Sequence, residues 1–122
     1  MAKLYDKKVD RWFQRLEHIW RSRNIEGIPE LMAPRFEYYE DPHDQPLTSI
    51  SQLVEVWSEV RNQDLQHLQI TPVSSFRGTG AALWECIIGK GKEASHLRGA
   101  YLVELDAKGR CTLFRQWWVA KE

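Results

Sequence analysis

The second half of this 122-residue chain reads as four long strands in succession, at 66–76, 81–89, 96–106 and 111–119. Gly78-Thr79-Gly80, Gly89-Lys90-Gly91 and Asp106-Ala107-Lys108-Gly109 mark short turns between them. Long neighbouring strands joined by short turns fold as an antiparallel meander. Such a sheet usually leaves one face wet and polar. These strands do not. In 81–89 Ala82, Trp84, Cys86 and Ile88 share one face and Leu83 and Ile87 the other. In 97–105 Leu97, Tyr101, Val103 and Leu105 oppose Ala100 and Leu102. In 111–119 Thr112, Phe114, Gln116 and Trp118 oppose Leu113, Arg115, Trp117 and Val119. The second apolar face requires a cover, and the chain has no helix to spare. A homodimer packed through the outer face at Trp117 is the simplest solution.

The first half supplies helices for the inner face. From Tyr5 to Arg23, Val9, Phe13, Leu16, Ile19 and Trp20 recur at spacings of three and four, the stripe of an amphipathic helix. Asn24 is placed to cap a short second helix through Ile28 and Leu31. That helix should end near Met32, because Pro34 restricts Ala33. A strand, Arg35-Phe36-Glu37-Tyr38-Tyr39, then runs into Glu40-Asp41-Pro42 and a proline-rich loop. Ser49 and Gln52 have capping-box spacing and open a third helix carrying Leu53, Val56, Trp57 and Val60. The order is helix, helix, strand, helix and four strands. That predicts one α+β domain over 1–122, with three N-terminal helices on one side of a curved antiparallel sheet.

Bulk composition removes several functions. Seventeen basic side chains balance seventeen acidic ones, so no excess charge is available for nucleic acid. No apolar run is long enough for a membrane, and Met1–Lys8 has no signal-like apolar core, so a cytoplasmic protein with no membrane partner is expected. Cys86 and Cys111 lack metal-ligand spacing and read as buried thiols. Asp41-Pro42-His43-Asp44 has no further histidine or cysteine nearby, and no metal is expected there. His67 lies on the first long strand and reads as solvent-facing rather than as a general base. Six tryptophans in so small a domain suit an aromatic pocket or an interface.

The element order, the phrase Tyr39-Glu40-Asp41-Pro42 and the closing run Gly99-Ala100-Tyr101 to Phe114-Arg115-Gln116-Trp117-Trp118 carry a resemblance over nearly the whole chain. It resembles the nuclear transport factor 2-like superfamily, and most of all the SnoaL-like branch with its polyketide cyclases and ketosteroid isomerases. The resemblance implies a cystatin-like cone, a strongly curved sheet wrapped around a cavity, and dimerisation through the outer sheet face. It orients Tyr39, Asp41, Trp57, Trp84, Cys86, Tyr101, Val103, Phe114, Gln116 and Trp118 inward. Such an aromatic cavity suits a small hydrophobic molecule.

The same resemblance makes Asp41 the candidate general base for proton transfer beside a carbonyl, without a cofactor. A carboxyl in an apolar cavity is tuned toward a working acid–base range. The plain alternative is that Asp41 only starts a turn. The oxyanion-stabilising tyrosine of ketosteroid isomerases is matched by Leu16, and the hydrogen-bond-donating acid by Tyr101, so Tyr101 alone remains as a donor. Gln116 either anchors a ligand or bonds within the protein. The candidate site is therefore catalytic Asp41 and Tyr101 within ligand-binding Tyr39, Trp57, Trp84, Phe114, Gln116 and Trp118. Three roles stay open: a cofactor-free isomerase, cyclase or dehydratase; a non-catalytic ligand-binding module; and a dimeric protein-interaction module whose tryptophans fill the cavity.

Overall fold

The computed structural model describes residues 5–121. Asp6 caps helix α1 (Lys7–Ser22), accepting the Lys8 backbone N–H at 2.8 Å. It also accepts the Gly78 N–H at 2.7 Å, tying the helix start to a turn between strands. The Gly78 bond and then the Lys8 bond hold its carboxyl below the ordinary range. The α1 stripe Val9, Trp12, Phe13, Leu16, Ile19 and Trp20 is wholly buried. Arg23 ends the helix in the left-handed conformation.

The expected second helix is shorter and starts differently. Asn24 makes no side-chain cap; a 3₁₀ turn, Ile25–Gly27, leads into the single turn α2 (Ile28–Leu31). Strand β1 (Met32–Tyr39) begins at once, with Pro34 inside it. Proline is tolerated because β1 lies at the sheet edge, where a missing N–H costs no ladder bond. Helix α3 (Ile50–Trp57) has the full Ser49/Gln52 capping box and tightens into a 3₁₀ turn, Ser58–Asn62.

Strands β2 (Leu65–Phe76), β3 (Thr79–Ile88), β4 (Ser95–Leu105) and β5 (Cys111–Ala120) form the antiparallel meander. Sheet order is β1-β5-β4-β3-β2, and β1 runs parallel to β5. Two expectations are corrected here. The sheet is mixed rather than antiparallel throughout. It is also open, with β1 and β2 as edges that do not meet, and it is neither strongly curved nor closed into a cone or conical barrel. Each closing pair would need ladder hydrogen bonds between β1 and β2, and none joins them.

The two-faced strands are as read. Ala82, Trp84, Cys86, Tyr101, Val103 and Phe114 are buried beneath the helices. On the outer face Leu83 is 57% exposed, Trp117 43% and Val119 69%. Arg98 and His67 both reach Glu85 there, each at 3.8 Å, so His67 lies on the outer face, away from the cavity. Among the described residues no helix is long and apolar enough to cross a membrane.

Candidate functional site

Aromatic side chains from six elements meet against the inner face of the sheet. Tyr38 stacks on Phe114 with ring centroids 4.3 Å apart and planes 5° from parallel. Phe114 touches Tyr101 at 5.0 Å, Tyr101 stacks on Trp84 at 5.5 Å, and Trp84 meets Trp20 at 5.8 Å. Trp20 then packs edge-on against Trp57 at 5.9 Å. The Trp57 indole N–H donates to the Tyr38 hydroxyl at 3.1 Å and closes the ring. A cavity of about 330 Å³ opens above it, with Trp118, 47% exposed, on its rim. Large rings at these offsets leave a gap that no neighbouring side chain fills.

Gly99 makes the arrangement possible. It is the cross-strand partner of Trp84 on one side and Trp118 on the other. A Cβ there would lie 2.7 Å from the Trp84 indole and 2.0 Å from the Trp117 carbonyl oxygen. The bare backbone lets Trp84 lie flat across the strand. Its indole N–H is buried and has no hydrogen-bond partner among the described residues.

Of the two adjacent acids after β1, Glu40 lines the cavity and Asp41 does not. Glu40 lines the wall with Tyr38, Tyr101 and Gln116, whereas Asp41 lies outside it, among Pro42, His43, Leu83 and Trp117. The Asp41 carboxylate accepts the His43 backbone N–H at 3.0 Å, which is the turn-starting role. Tyr39 is outside as well: its hydroxyl donates to Glu37 at 2.7 Å and Arg115 lies over its ring at 4.1 Å. The reason is strand register. Tyr38 pairs with inward Phe114 and Tyr39 with outward Arg115, after an irregularity between Met32 and Glu37. Paired residues share a face, so one residue of register moves the whole alternating set.

Glu40 has unusual surroundings. Burial pushes its carboxyl above the ordinary range, a hydrogen bond from Tyr38 pulls it back, and the nearby charges of Asp44 and Glu59 raise it further. Gln116 donates to the Glu40 backbone oxygen at 2.9 Å and to its carboxylate at 3.2 Å. The polar line therefore runs from Trp57 through Tyr38 to Glu40, with Gln116 on the other side. Burial holds the Tyr38 and Tyr101 hydroxyls well above their usual range, so both remain protonated donors. Cys86, also inward, has its thiol pushed up to about 11 by burial and is no nucleophile. Among the described residues no group of three or more His, Cys, Asp or Glu is placed to hold a metal.

Neither the protein-family models nor the curated proteins give a match to this sequence. Solved structures do. A steroid Δ-isomerase from Pseudomonas aeruginosa superposes with a TM-score of 0.72 at 12% identity, covering 97% of this chain and 84% of its own. SalBIII, an epoxide hydrolase/cyclase-like enzyme of pyran ring formation in the polyether salinomycin, gives 0.74 at 9% identity, covering 93% and 88%. The chain shares the fold of these two enzymes. At such identities the likeness establishes the fold, and the site must be argued from its own residues.

Within this fold, Trp57, Trp84, Tyr101, Gln116 and Trp118 all line the cavity, and Phe114 backs the wall behind Tyr38 and Tyr101. Tyr38, Glu40, Trp20, Glu59 and Gln63 line it too and were not foreseen as site residues. Tyr38 and Glu40 were legible as a pair sharing one strand face, but their direction was not. Trp20 was visible on the α1 stripe, where its fellow apolar residues pointed only to the core.

Proposed function

We propose that this protein binds a small, mainly apolar molecule against the aromatic ring, and that Glu40 is the group there that exchanges a proton with it. The observation that carries this reading is a half-buried carboxyl that accepts hydrogen bonds from Tyr38 and Gln116, set in a cavity walled largely by aromatic side chains. A carboxyl so placed suits general acid–base work better than Asp41, which lies outside the cavity. For a carbonyl compound, the Glu40 carboxylate would take a proton from the carbon beside the carbonyl. The Tyr101 hydroxyl would donate to the enolate oxygen, and Glu40 would return the proton to carbon. This supports a cofactor-free isomerase, cyclase or dehydratase chemistry with one oxyanion donor, since buried Leu16 offers no second.

The test is a panel of small neutral ketones, with tryptophan fluorescence reporting binding and proton NMR in D₂O reporting exchange beside the carbonyl. Glu40→Gln should keep binding and abolish protein-catalysed exchange. Binding without exchange leaves a ligand-binding module. Loss of exchange in Asp41→Asn but not in Glu40→Gln would return the role to Asp41. Failure of every ketone and apolar probe to perturb the tryptophans would remove the cavity reading.

The outer face supports a second proposal, a homodimer. Leu83, Trp117 and Val119 form an exposed apolar surface crossed by Arg98 and Glu85, an alternation that a second copy can match by symmetry. Trp117→Asp should then halve the sedimenting mass without lowering the thermal midpoint of the monomer; unchanged sedimentation places the partner elsewhere.

A further inference from the structure

The charge around the cavity is one-sided. Glu40 and Glu59 both line it, and Asp44 lies close enough to act on Glu40. No lysine, arginine or histidine is among the described residues of the lining, although the chain carries as many basic as acidic groups. The other walls include four indoles and two phenols, whose faces are electron-rich, with valine, isoleucine, leucine and two neutral glutamine amides between them. A neutral ligand leaves Glu40 half-buried with no counter-charge. An organic cation would supply the counter-charge and lie against the ring faces at the same time. Ammonium groups that carry methyl substituents fit best, since they are weakly hydrated and present an apolar surface to aromatic walls.

We propose that the molecule preferred by this cavity is a small organic cation, an alkylated ammonium held between the aromatic faces and the carboxylates of Glu40 and Glu59. This rests on the reading of the cavity as a ligand site and adds the charge of the ligand. The two carboxylates have separate parts: Glu40 faces the cation from the sheet side, beside Gln116, and Glu59 from the helical side, on the 3₁₀ turn after α3.

The probes are choline and 3,3-dimethylbutan-1-ol, which share a shape and differ in one positive charge. Titration of each into the native protein, followed by tryptophan fluorescence and calorimetry, should show choline binding about tenfold or more tightly, the effect of a cation desolvated among aromatic faces. Glu40→Gln and Glu59→Gln should each weaken choline severalfold and leave the alcohol unchanged, and the two native-protein titrations stand even if one variant folds poorly. Equal or tighter binding of the alcohol overturns the inference and leaves the apolar-cavity reading intact. If neither probe binds, the inference also falls, and the neutral-ketone titration alone decides whether the cavity is a ligand site.

Discussion

Tyr38→Phe removes a single oxygen from the centre of the site and tests the polar line directly. The ring stays, so the stack on Phe114 at 4.3 Å is kept. Two hydrogen bonds go: the one accepted from Trp57 at 3.1 Å and the one given to Glu40. An indole N–H left unpaired in a buried position costs about 1–3 kcal/mol. The Glu40 bond adds a part that depends on pH. Burial raises the folded-state pKa of Glu40 above its ordinary 4.5, so the folded protein holds this proton more firmly than the unfolded chain. Stability from this group is therefore present at low pH and declines as pH rises through 4.5 toward the raised value. Tyr38 limits that decline by bonding the charged form; without it the decline is steeper. Urea denaturation from about pH 4 to about pH 8, spanning the ordinary glutamate range, should show the cost of Tyr38→Phe growing with pH. In a Glu40→Gln background the same substitution should cost a constant amount. A cost that is flat in both backgrounds would show that the hydroxyl does not act on Glu40. A variant as stable as the native protein would refute the closed ring.

Three further outcomes follow from the packing. Gly99→Ala drives a methyl into the Trp117 carbonyl and the Trp84 indole, and backbone cannot yield cheaply, so a loss of about 3 kcal/mol is expected in chemical denaturation; a neutral result would mean that Trp84 can leave the strand. Asp6→Ala removes the α1 cap and should cost about 1–2 kcal/mol near neutral pH. Because the Asp6 pKa is depressed, its contribution is present above the ordinary 3.8 and lost as pH falls below it, so acid melts of variant and native should converge. Burial pushes the Cys111 thiol to about 12 and the Cys86 thiol to about 11, so a thiol reagent at mildly alkaline pH should modify neither until the protein unfolds. Prompt labelling of the native state would show that the inner face opens.

Much of this protein was written along the chain because the signals are local. The α1 stripe, the Ser49/Gln52 capping box and the Gly-marked turns each depend on residues a few positions apart, and each is present in the structure. Side-chain alternation in β3, β4 and β5 is equally local: antiparallel neighbours fix one another's faces, so Trp84, Tyr101, Gln116 and Trp118 share the face that lines the cavity. Pro34 placed the end of the second helix near Met32, where the structure has it, but its position inside β1 depends on that strand lying at an edge, and that is decided by the neighbours it acquires.

The direction of β1 and the openness of the sheet belonged to tertiary structure. β1 joins β5 in parallel across 70-odd residues of intervening chain, and the pairing of Tyr38 with Phe114 decides which of two adjacent tyrosines and two adjacent acids enters the cavity. Tyr39 and Asp41 read as well as Tyr38 and Glu40 in isolation, since a strand's alternation has no preferred sign until a partner supplies one. Closure of the sheet likewise depends on whether its two edges meet. The sequence by itself determined the elements, the alternation and the aromatic character of the inner face. Only the long-range pairing decided that Glu40 is the acid facing the rings, because the face a residue takes is a property of two strands and not of one.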